Sequence, residues 1–264
     1  MTQHTRRHNR SAPSLFAGLA LLLASPAAFA QTAGASDDAW MDILETYVHE
    51  SEDGINRVDY GALKANAADV SKLDAYIEQF ADLDIDALPR DEQFASWANL
   101  YNAVTVRYIV RKYPTSTIKP WYSSGPWKTI KVMADGREVS LDAIEHEILR
   151  AQWEGDPRLH YAINCASLGC PNLMDRPWEA ETLDEDLNAA ARAYINHPRG
   201  VSVTGNGLRV SSIYDWFKSD FGGTDAQVID HFLIYADPDL ARQIEANPDI
   251  RGYGYNWSLN DTSK

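Results

Sequence analysis

The chain has 264 residues and carries 24 Lys and Arg against 38 Asp and Glu, so its formal net charge is −14. Nucleic acids and anionic lipid surfaces bind proteins through a basic footprint, and this composition argues against both as partners. The chain contains 8 Trp and 13 Tyr and is long enough for one large domain or two small ones. A substantial aromatic core is therefore expected.

The first thirty residues have the pattern of a secretory signal peptide. Three arginines precede an apolar run over residues 15–24, and residues 28–30 (Ala-Phe-Ala) form a small-x-small cleavage site. The apolar run is too short to span a membrane. We therefore expect cleavage after Ala30, a mature chain without a membrane span, and a periplasmic or secreted location. The pair Arg6-Arg7 leaves the general and the twin-arginine export routes both open.

The first half of the remaining chain is dominated by helical patterns. Apolar residues at helical spacing predict a helix over residues 40–48 and another over residues 70–80. A third helix is predicted over residues 89–113, because its opening proline suits a first turn and Pro114 ends it. A very wide apolar face predicts that this third helix is central and buried.

Two asparagines of the third helix, Asn99 and Asn102, lie at or inside its apolar face on a helical wheel. Both amides are therefore predicted to be buried, and buried amides need hydrogen-bond partners. Bracing of a neighbouring loop is the preferred interpretation for both. A direct catalytic role for Asn102 and a binding role for Asn99 stay open.

An irregular aromatic loop follows the third helix and contains Trp127, which could roof a pocket or pack on the core. A hairpin is predicted over residues 129–139 because Asp135-Gly136 lies between two alternating segments. Ser140 is then a predicted N-cap for a helix that ends at residue 150.

One histidine of this capped helix could take part in chemistry. His146 lies off the apolar face, between Glu145 and Glu147. A histidine in such a position is usually solvated, and a catalytic role needs the fold to bring it to a nucleophile.

Residues 159–165 alternate between two faces, with Cys165 on one face and His160 and Asn164 on the other. This period predicts a half-buried strand. Turn-forming residues over 166–171 end it. A cysteine at such a position suits a nucleophile, because the strand holds the sulfur and the turn exposes it.

Cys165 and Cys170 are the two cysteines of the chain. In an oxidising compartment a pair at this spacing predicts a disulfide, which would stabilise the fold by roughly 2 kcal/mol through closure of a short loop. A reduced Cys165 would instead be available as a nucleophile, so the residues leave both states open. The spacing matches no zinc pattern, and no metal site is expected.

The remaining elements predict a capped helix over residues 182–195, a hairpin over residues 201–210 and further helices after residue 211. Alternating aromatics over residues 253–259 predict a closing strand. Because helices and hairpins are interspersed without βαβ order, the predicted class is α+β, a mostly helical single domain with a small, largely antiparallel sheet.

The predicted organisation along the chain has three parts. Residues 1–30 form the signal peptide, residues 31–36 form a disordered mature N-terminus, and residues 37–264 form a single globular domain.

Four segments in chain order carry a family resemblance: Trp97-Ala-Asn-Leu-Tyr-Asn-Ala103, Ser140-Leu-Asp-Ala-Ile-Glu-His-Glu-Ile-Leu-Arg150, His160-Tyr-Ala-Ile-Asn-Cys-Ala-Ser-Leu-Gly-Cys-Pro171 and Ser212-Ile-Tyr-Asp-Trp-Phe-Lys-Ser-Asp-Phe221. They resemble the signature blocks of the domain of unknown function 547 family, over residues 40–236. The resemblance implies no activity, since the family name records none. It places these residues at motif positions: Asn99, Asn102, Glu145, His146, His160, Asn164, Cys165, Cys170 and Asp220.

The first functional hypothesis is a thiol enzyme that hydrolyses or transfers amide bonds of the cell envelope. Cys165 would be the nucleophile, a histidine its base, and Glu145 or the amide of Asn102 the orienting group. A regular strand would point His160 away from Cys165, which favours His146 as the base.

The second hypothesis is a binding or structural module braced by a Cys165–Cys170 disulfide. Its polar motif residues would surround a groove for a small molecule, a peptide or an envelope component. The binding candidates are Asn99, Asn164, Trp127 and Asp220. No cofactor is expected, because the sequence has no phosphate loop or dinucleotide fingerprint. The redox state of the two cysteines discriminates between the hypotheses.

Overall fold

The computed structural model describes residues 1–2, 34–120 and 123–263. These residues fold as a mostly helical α+β domain with small sheets, which confirms the predicted fold class. The apolar run of the predicted signal peptide and the cleavage site after Ala30 lie outside the described residues. Within the described ranges, none of the helices combines the length and the apolar character that crossing a membrane requires.

The longest described helix is α4, Arg90–Lys112, and it confirms the predicted third helix. It begins after Pro89, and Asp91 and Glu92 in its first turn stabilise the positive end of the helix dipole. Nearly every side chain from Phe94 to Val106 is buried, so α4 runs through the middle of the main hydrophobic core.

The other described helices are shorter than α4. Their bounds are α1 Asp38–Tyr47, α2 Tyr60–Ala65, α3 Ala67–Glu78, α5 Leu141–Ala143, α6 Arg150–Gln152, α7 Leu159–Ala162, α8 Leu183–Ile195, α9 Ile213–Trp216, α10 Asp225–Tyr235 and α11 Pro238–Ala246. A π-helical segment, Ile144–Leu149, joins α5 to α6, and 3₁₀ turns lie at Gln79–Ala81, Ile85–Ala87 and Lys218–Phe221.

The strands form three small sheets within the described chain, and most pairs are antiparallel. β1 (Val48–His49) pairs with β2 (Arg57–Val58), and β3 (Lys131–Ala134) pairs with β4 (Arg137–Ser140). β5 (Val201–Thr204) pairs antiparallel with β6 (Gly207–Ser211), which pairs parallel with β7 (Ile250–Gly254). Both predicted hairpins are confirmed.

Two hydrophobic clusters meet at the central segment of the chain. The first cluster surrounds α4, and the second lies between α8, α10 and the sheet of β5, β6 and β7. Leu159 belongs to the first cluster and Tyr161 to the second. The short helix α7 therefore lies where the two clusters meet.

The predicted strand over residues 159–165 is wrong. Leu159–Ala162 form α7, and the backbone becomes extended at Ile163, with φ −105° and ψ 133°. All four side chains of α7 are buried. In a segment buried on every side, alternation cannot distinguish a strand from a helical turn, because neither structure has a solvent-facing side. The predicted closing strand is wrong in its bounds, since β7 ends at Gly254 and residues 255–257 have no regular structure.

Candidate functional site

A cavity of about 250 Å³ opens beside the segment that carries both cysteines. Its aromatic lining consists of Tyr101, Trp127, Trp216, Phe217, Tyr255 and Trp257. Its titratable lining consists of Asp142, Glu145, His146 and His160, and Cys165 and Cys170 complete the sulfur part of the wall. An apolar pocket with a few converging polar groups is the usual form of a small-molecule site.

His160 on α7 is a buried polar group of the cavity wall. Its Nε2 lies 2.8 Å from Oδ2 of Asp220, which follows α9 in a 3₁₀ turn. Arg150 binds the same carboxylate through two N–H groups, at 2.6 Å and 2.7 Å. Because the carboxylate accepts, Nε2 of His160 carries the proton, and Nδ1 has no hydrogen-bond partner among the described residues. The imidazole also stacks on Phe217, with ring centroids 4.2 Å apart.

The surroundings hold this pair as a neutral imidazole beside an anionic carboxylate. Burial lowers the pKa of His160, and the nearby Asp220 only partly opposes that shift. Burial alone would raise the pKa of Asp220, but hydrogen bonds from Arg150 and His160 outweigh it and hold that pKa well below its usual range. A neutral histidine with a fixed tautomer is the state in which imidazole accepts a proton.

Glu145 lies on the π-helical segment and is partly accessible from the cavity. The hydroxyl of Tyr101 donates to its Oε2 at 3.3 Å. Burial raises the pKa of Glu145 to about 7, and the hydrogen bond from Tyr101 and the charge of Arg150 limit the rise. Glu145 can therefore hold or release a proton near neutral pH.

His146 lines the cavity beside Glu145, with 37% of its side chain exposed. Its Nε2 lies 3.8 Å from Asp142, and its Nδ1 lies 3.2 Å from a guanidinium nitrogen of Arg150. Burial lowers the pKa of His146, and the charge of Asp142 opposes that shift. The described contacts of Glu145 and His146 do not join them to each other, so the predicted support of His146 by Glu145 has no hydrogen bond behind it.

The two cysteines form a disulfide, Cys165–Cys170. The backbone N–H of Cys165 donates to Sγ of Cys170 at 2.9 Å. The Tyr255 hydroxyl lies 3.0 Å from the Cys165 sulfur and 3.1 Å from the Cys170 sulfur. Cys170 is 2% exposed, whereas Cys165 is partly exposed.

Two asparagines hold the backbone of this turn. Asn102 on α4 donates to the carbonyl of Ala162 at 2.9 Å and accepts from the backbone N–H of Asn164 at 2.8 Å. Asn164 in turn accepts from the N–H of Ala166, whose φ of 57° lies in the left-handed region. Such a φ costs an L-residue about 1 to 2 kcal/mol, so these contacts stabilise a turn that the chain would not adopt alone.

Asn99 holds a different segment. Its side chain donates to the carbonyl of Trp178 at 2.9 Å and accepts from the N–H of the same residue at 2.9 Å. Asn99 is 1% exposed and does not line the cavity. The predicted burial of Asn99 and Asn102 is confirmed, and both side chains brace backbone.

Gly169 allows the last irregular segment to pack on the cysteine loop. A Cβ on Gly169 would lie 2.8 Å from the backbone nitrogen of Asn256, too close for any other residue. The N–H of Gly169 donates to the carbonyl of Asn256. This contact brings Tyr255 and Trp257 against the disulfide and the cavity.

The aromatic wall was missed by the sequence interpretation, apart from Trp127. Trp257 contacts Trp127, Trp216 and Tyr255, with ring centroids 5.8, 5.6 and 4.5 Å apart. The alternation of aromatics over residues 253–259 was the available signal, but it was interpreted as one face of a strand. Tyr101, Asp142 and Arg150 were also missed as parts of the site.

The structure brings most of the predicted site residues to one place. Cys165, His146, His160, Glu145 and Trp127 line the cavity. Asp220 lies behind His160, and Asn102 and Asn164 lie behind the cysteine loop. In the described ranges, no group of three or more His, Cys, Asp or Glu residues is arranged to hold a metal ion.

Comparison with known proteins identifies one family. Residues 85–195 match the model of a family described as "Protein of unknown function, DUF547". The match contains α4, the π-helical segment and the cysteine loop, and it ends before Asp220. No curated protein and no solved structure matches the chain.

Proposed function

Because the chain belongs to the DUF547 family, whose description records no activity, we propose its function from the chemistry of the cavity. The proposed function is that of a thiol-dependent hydrolase or acyltransferase that acts on amide bonds. Reduced Cys165 is the nucleophile, His160 the base and Asp220 the group that orients the base. Arg150 positions Asp220, and Asn102 positions the backbone that carries Cys165.

The observation that carries the proposal is the 2.8 Å contact between His160 and Asp220 in a cavity that Cys165 also lines. A thiol enzyme needs a base whose second nitrogen is fixed by an acceptor, so that the first nitrogen faces the nucleophile. His160 has such an acceptor, whereas the nitrogens of His146 lie near the cation Arg150 and, less closely, Asp142. The expectation that His160 points away from Cys165 depended on a regular strand, and residues 159–162 form the helix α7 instead.

The proposed reaction proceeds in two steps. Nδ1 of His160 takes the thiol proton of Cys165, the thiolate attacks the amide carbonyl, and the C–N bond breaks as His160 returns the proton to the leaving amine. The acyl group is then bound to Cys165 as a thioester. Water releases it as a carboxylic acid, or an amine accepts it in a transfer reaction, and the thiol is regenerated.

The disulfide must be reduced before this chemistry can begin, since a disulfide sulfur is not a thiolate nucleophile. We also place the protein outside the cytoplasm, where signal-peptide cleavage after Ala30 would deliver it. The Cys165–Cys170 bond is compatible with that location, because disulfides persist in oxidising compartments.

A second candidate function is a non-catalytic binding module, and the Cys165–Cys170 bond itself favours it. In the oxidised state the cavity presents aromatic rings and the carboxylates of Asp142 and Glu145. Such a wall suits a small molecule with an apolar or positively charged face. In this case the disulfide braces the wall and takes no part in chemistry.

A test uses Cys170→Ser, which leaves Cys165 unpaired without any reductant. The variant is treated with p-nitrophenyl acetate as an acyl probe, and its intact mass and peptide map are measured. The enzyme proposal expects acetylation of Cys165 with release of the acyl group over time. Cys165→Ser in the same background is the control and should not be acetylated at this loop. A Cys165 in Cys170→Ser that reacts no faster than a free cysteine peptide contradicts the enzyme proposal and favours the binding module.

A further inference from the structure

We infer that the Cys165–Cys170 bond is a thiol–disulfide exchange site, at which an external small thiol attacks Cys165 and Cys170 is the leaving sulfur. The inference rests on the proposed function, because exchange supplies the reduced Cys165 which that function requires. It adds an activity, a substrate class and a direction of attack. Two independent features of the loop, access and hydrogen bonding, give the same direction.

The first feature is access to the two sulfur-bearing residues. Both residues line the cavity, but Cys170 is 2% exposed and Cys165 is partly exposed. Thiol–disulfide exchange requires the attacking thiolate to approach along the S–S axis from the side of the sulfur it attacks. Access therefore favours attack at Cys165, which is the more exposed of the two residues.

The second feature is the set of donors around each sulfur. The backbone N–H of Cys165 donates to the Cys170 sulfur at 2.9 Å, and no backbone N–H within the described chain donates to the Cys165 sulfur. A backbone N–H stabilises the negative charge that develops on the sulfur it contacts. The sulfur with this donor is the better leaving group in exchange, which assigns Cys170 as the leaving sulfur.

Tyr255 adds a hydroxyl that can donate to whichever sulfur becomes a thiolate. Disulfide sulfurs carry no proton, so the hydroxyl of Tyr255, which lies 3.0 and 3.1 Å from the two sulfurs, is the donor to them. Ser167 donates to the oxygen of Tyr255 at 3.1 Å. When the bond breaks, the Tyr255 proton is already within hydrogen-bond distance of the Cys170 thiolate.

The donor N–H is held in place whatever the state of the sulfurs. Asn102 binds the N–H of Asn164, and Asn164 binds the N–H of Ala166, so the residues on both sides of Cys165 are fixed to buried side chains. A donor held this way needs no reorganisation as charge develops on Cys170.

The exchange consumes two thiols and proceeds in two steps. A thiolate RS⁻ bonds to the Cys165 sulfur, the S–S bond breaks, and its electron pair stays on Cys170 as thiolate. A second thiol, or the other thiol of a dithiol, attacks the sulfur of R and releases Cys165 as thiolate and RSSR as the oxidised product. The protein gains two electrons and two protons, and the small thiol is the reductant.

The charges of the cavity set the class of thiol. Asp142 lines it, Glu145 adds negative charge once its proton is released, at a pKa of about 7, and no Lys or Arg lines it among the described residues. A neutral or cationic thiol is therefore preferred over an anionic one. The probes are 2-mercaptoethanol, cysteamine and mercaptoacetate. The rate of each thiol with the protein is divided by its rate with hydroxyethyl disulfide, so that differences in intrinsic reactivity cancel.

The deciding experiment exposes the native oxidised protein briefly to 2-mercaptoethanol, quenches it with N-ethylmaleimide and maps the labelled peptides. The expected result is the 2-mercaptoethanol adduct on Cys165 and maleimide on Cys170. The reverse labelling overturns the assigned direction. A lack of reaction in the folded protein, with reaction after unfolding, overturns the exchange site itself. Mercaptoacetate as fast as cysteamine on the normalised scale overturns the substrate class.

Tyr255→Phe tests the leaving-group argument, with Tyr253→Phe as a matched control on the same segment, whose hydroxyl lies near Asp225 instead. We expect exchange to slow by about 3- to 10-fold in Tyr255→Phe, the size of one lost hydrogen bond, and to stay unchanged in Tyr253→Phe. Equal rates in both variants contradict the role of Tyr255. The exchange experiment follows adduct masses and uses no acyl substrate. The acylation experiment uses Cys170→Ser, which has no disulfide to exchange. Either proposal can therefore fail while the other stands.

Discussion

The polar side chains on two sides of α4 differ in what they bond to. On one side, Asn99 and Asn102 donate to and accept from backbone groups. On the other side, Tyr101 faces Glu145, and beyond it His160, Asp220 and Arg150 are bonded side chain to side chain. Each of these two amides donates one hydrogen bond to the backbone and accepts one from it, and neither residue lines the cavity.

This difference separates buried groups that hold the fold from buried groups that are available for chemistry. An amide bonded to backbone has one protonation state and stabilises one loop conformation. The side-chain cluster contains groups whose pKa values are displaced by burial and by each other, and most of its members line a cavity. Displaced pKa values next to a cavity are typical of functional sites. Substitutions on the two sides of α4 should therefore have different effects.

The largest expected effect comes from Asp220→Asn in the Cys170→Ser background. The amide has one acceptor oxygen in place of two and no charge, so it cannot accept from both Arg150 and His160 as the carboxylate does, and the tautomer of His160 is no longer fixed. We expect acetylation of Cys165 by p-nitrophenyl acetate to fall by about 10²- to 10⁴-fold, the usual contribution of general acid–base catalysis.

The measurement is intact mass over time, and Asp215→Asn, an exposed carboxylate on α9, is the control. A thermal melt of each variant shows whether the fold survives. Equal acetylation rates in Asp220→Asn and the control would contradict the role of His160 and Asp220 in the reaction.

Glu145→Gln should change how stability depends on pH. The pKa of Glu145 is raised from 4.5 to about 7, so the folded protein binds this proton more tightly than the unfolded chain does. Its stabilising contribution is complete below the unfolded pKa and is lost as pH rises through the folded pKa. As the pH rises from 4.5 to above the folded pKa of about 7, we expect the unfolding free energy of the wild type to fall by on the order of 3 kcal/mol relative to that of Glu145→Gln.

Urea melts of both proteins across this pH range give the difference. Asp37, whose pKa burial raises to about 6, affects both proteins equally and cancels. Glu147→Gln, on the exposed side of the same segment, is the control and should track the wild type. A constant difference between the wild type and Glu145→Gln would mean that Glu145 is solvated.

Asn102→Ala tests the structural side of the comparison. It leaves the N–H of Asn164 without its buried partner, which costs about 1 to 3 kcal/mol, while the carbonyl of Ala162 keeps its bond from Nε1 of Trp178 at 3.1 Å. Urea melts should show this loss at every pH, without the pH dependence expected for Glu145. Gln243→Ala, on the exposed face of α11, is the control, and an unchanged midpoint for Asn102→Ala would contradict the bracing role.

The smallest expected effect is that of Ser140→Ala. Ser140 caps the helix that carries Glu145 and His146, and its hydroxyl accepts from the N–H of Ala143 at 3.0 Å. Loss of such a cap costs about 1 kcal/mol. Chemical denaturation measures the loss, and Ser140→Thr, which keeps the hydroxyl, should recover most of it. A Ser140→Ala protein as stable as wild type would show that neighbouring contacts hold the helix start.

Local patterns in the sequence were sufficient for the elements whose ends carry specific signals. The bounds of α4, the capping role of Ser140 and both hairpins followed from prolines, a hydroxyl and turn residues, all within a few positions of the effect. The buried amides of Asn99 and Asn102 followed from the phase of one helix. The motifs that resemble the DUF547 family are confirmed over residues 85–195.

Tertiary structure decided what local patterns could not. Residues 159–162 are buried by both hydrophobic clusters, and that burial on all sides removes the polar face by which a helical turn would have been identified. The choice of base also depended on distant residues, since Asp220 lies 60 positions from His160 along the chain.

By itself the sequence determined a mostly helical α+β chain and the residue types available for chemistry, since helix phase, caps and turns act over a few residues. The tertiary structure decided which of them meet. It brought Asp220 within hydrogen-bond distance of His160, the Tyr255 hydroxyl within hydrogen-bond distance of both sulfurs, and the ring of Trp257 against that of Trp127. Contacts between positions far apart in the chain depend on how the elements pack, and no periodicity within one segment records that packing.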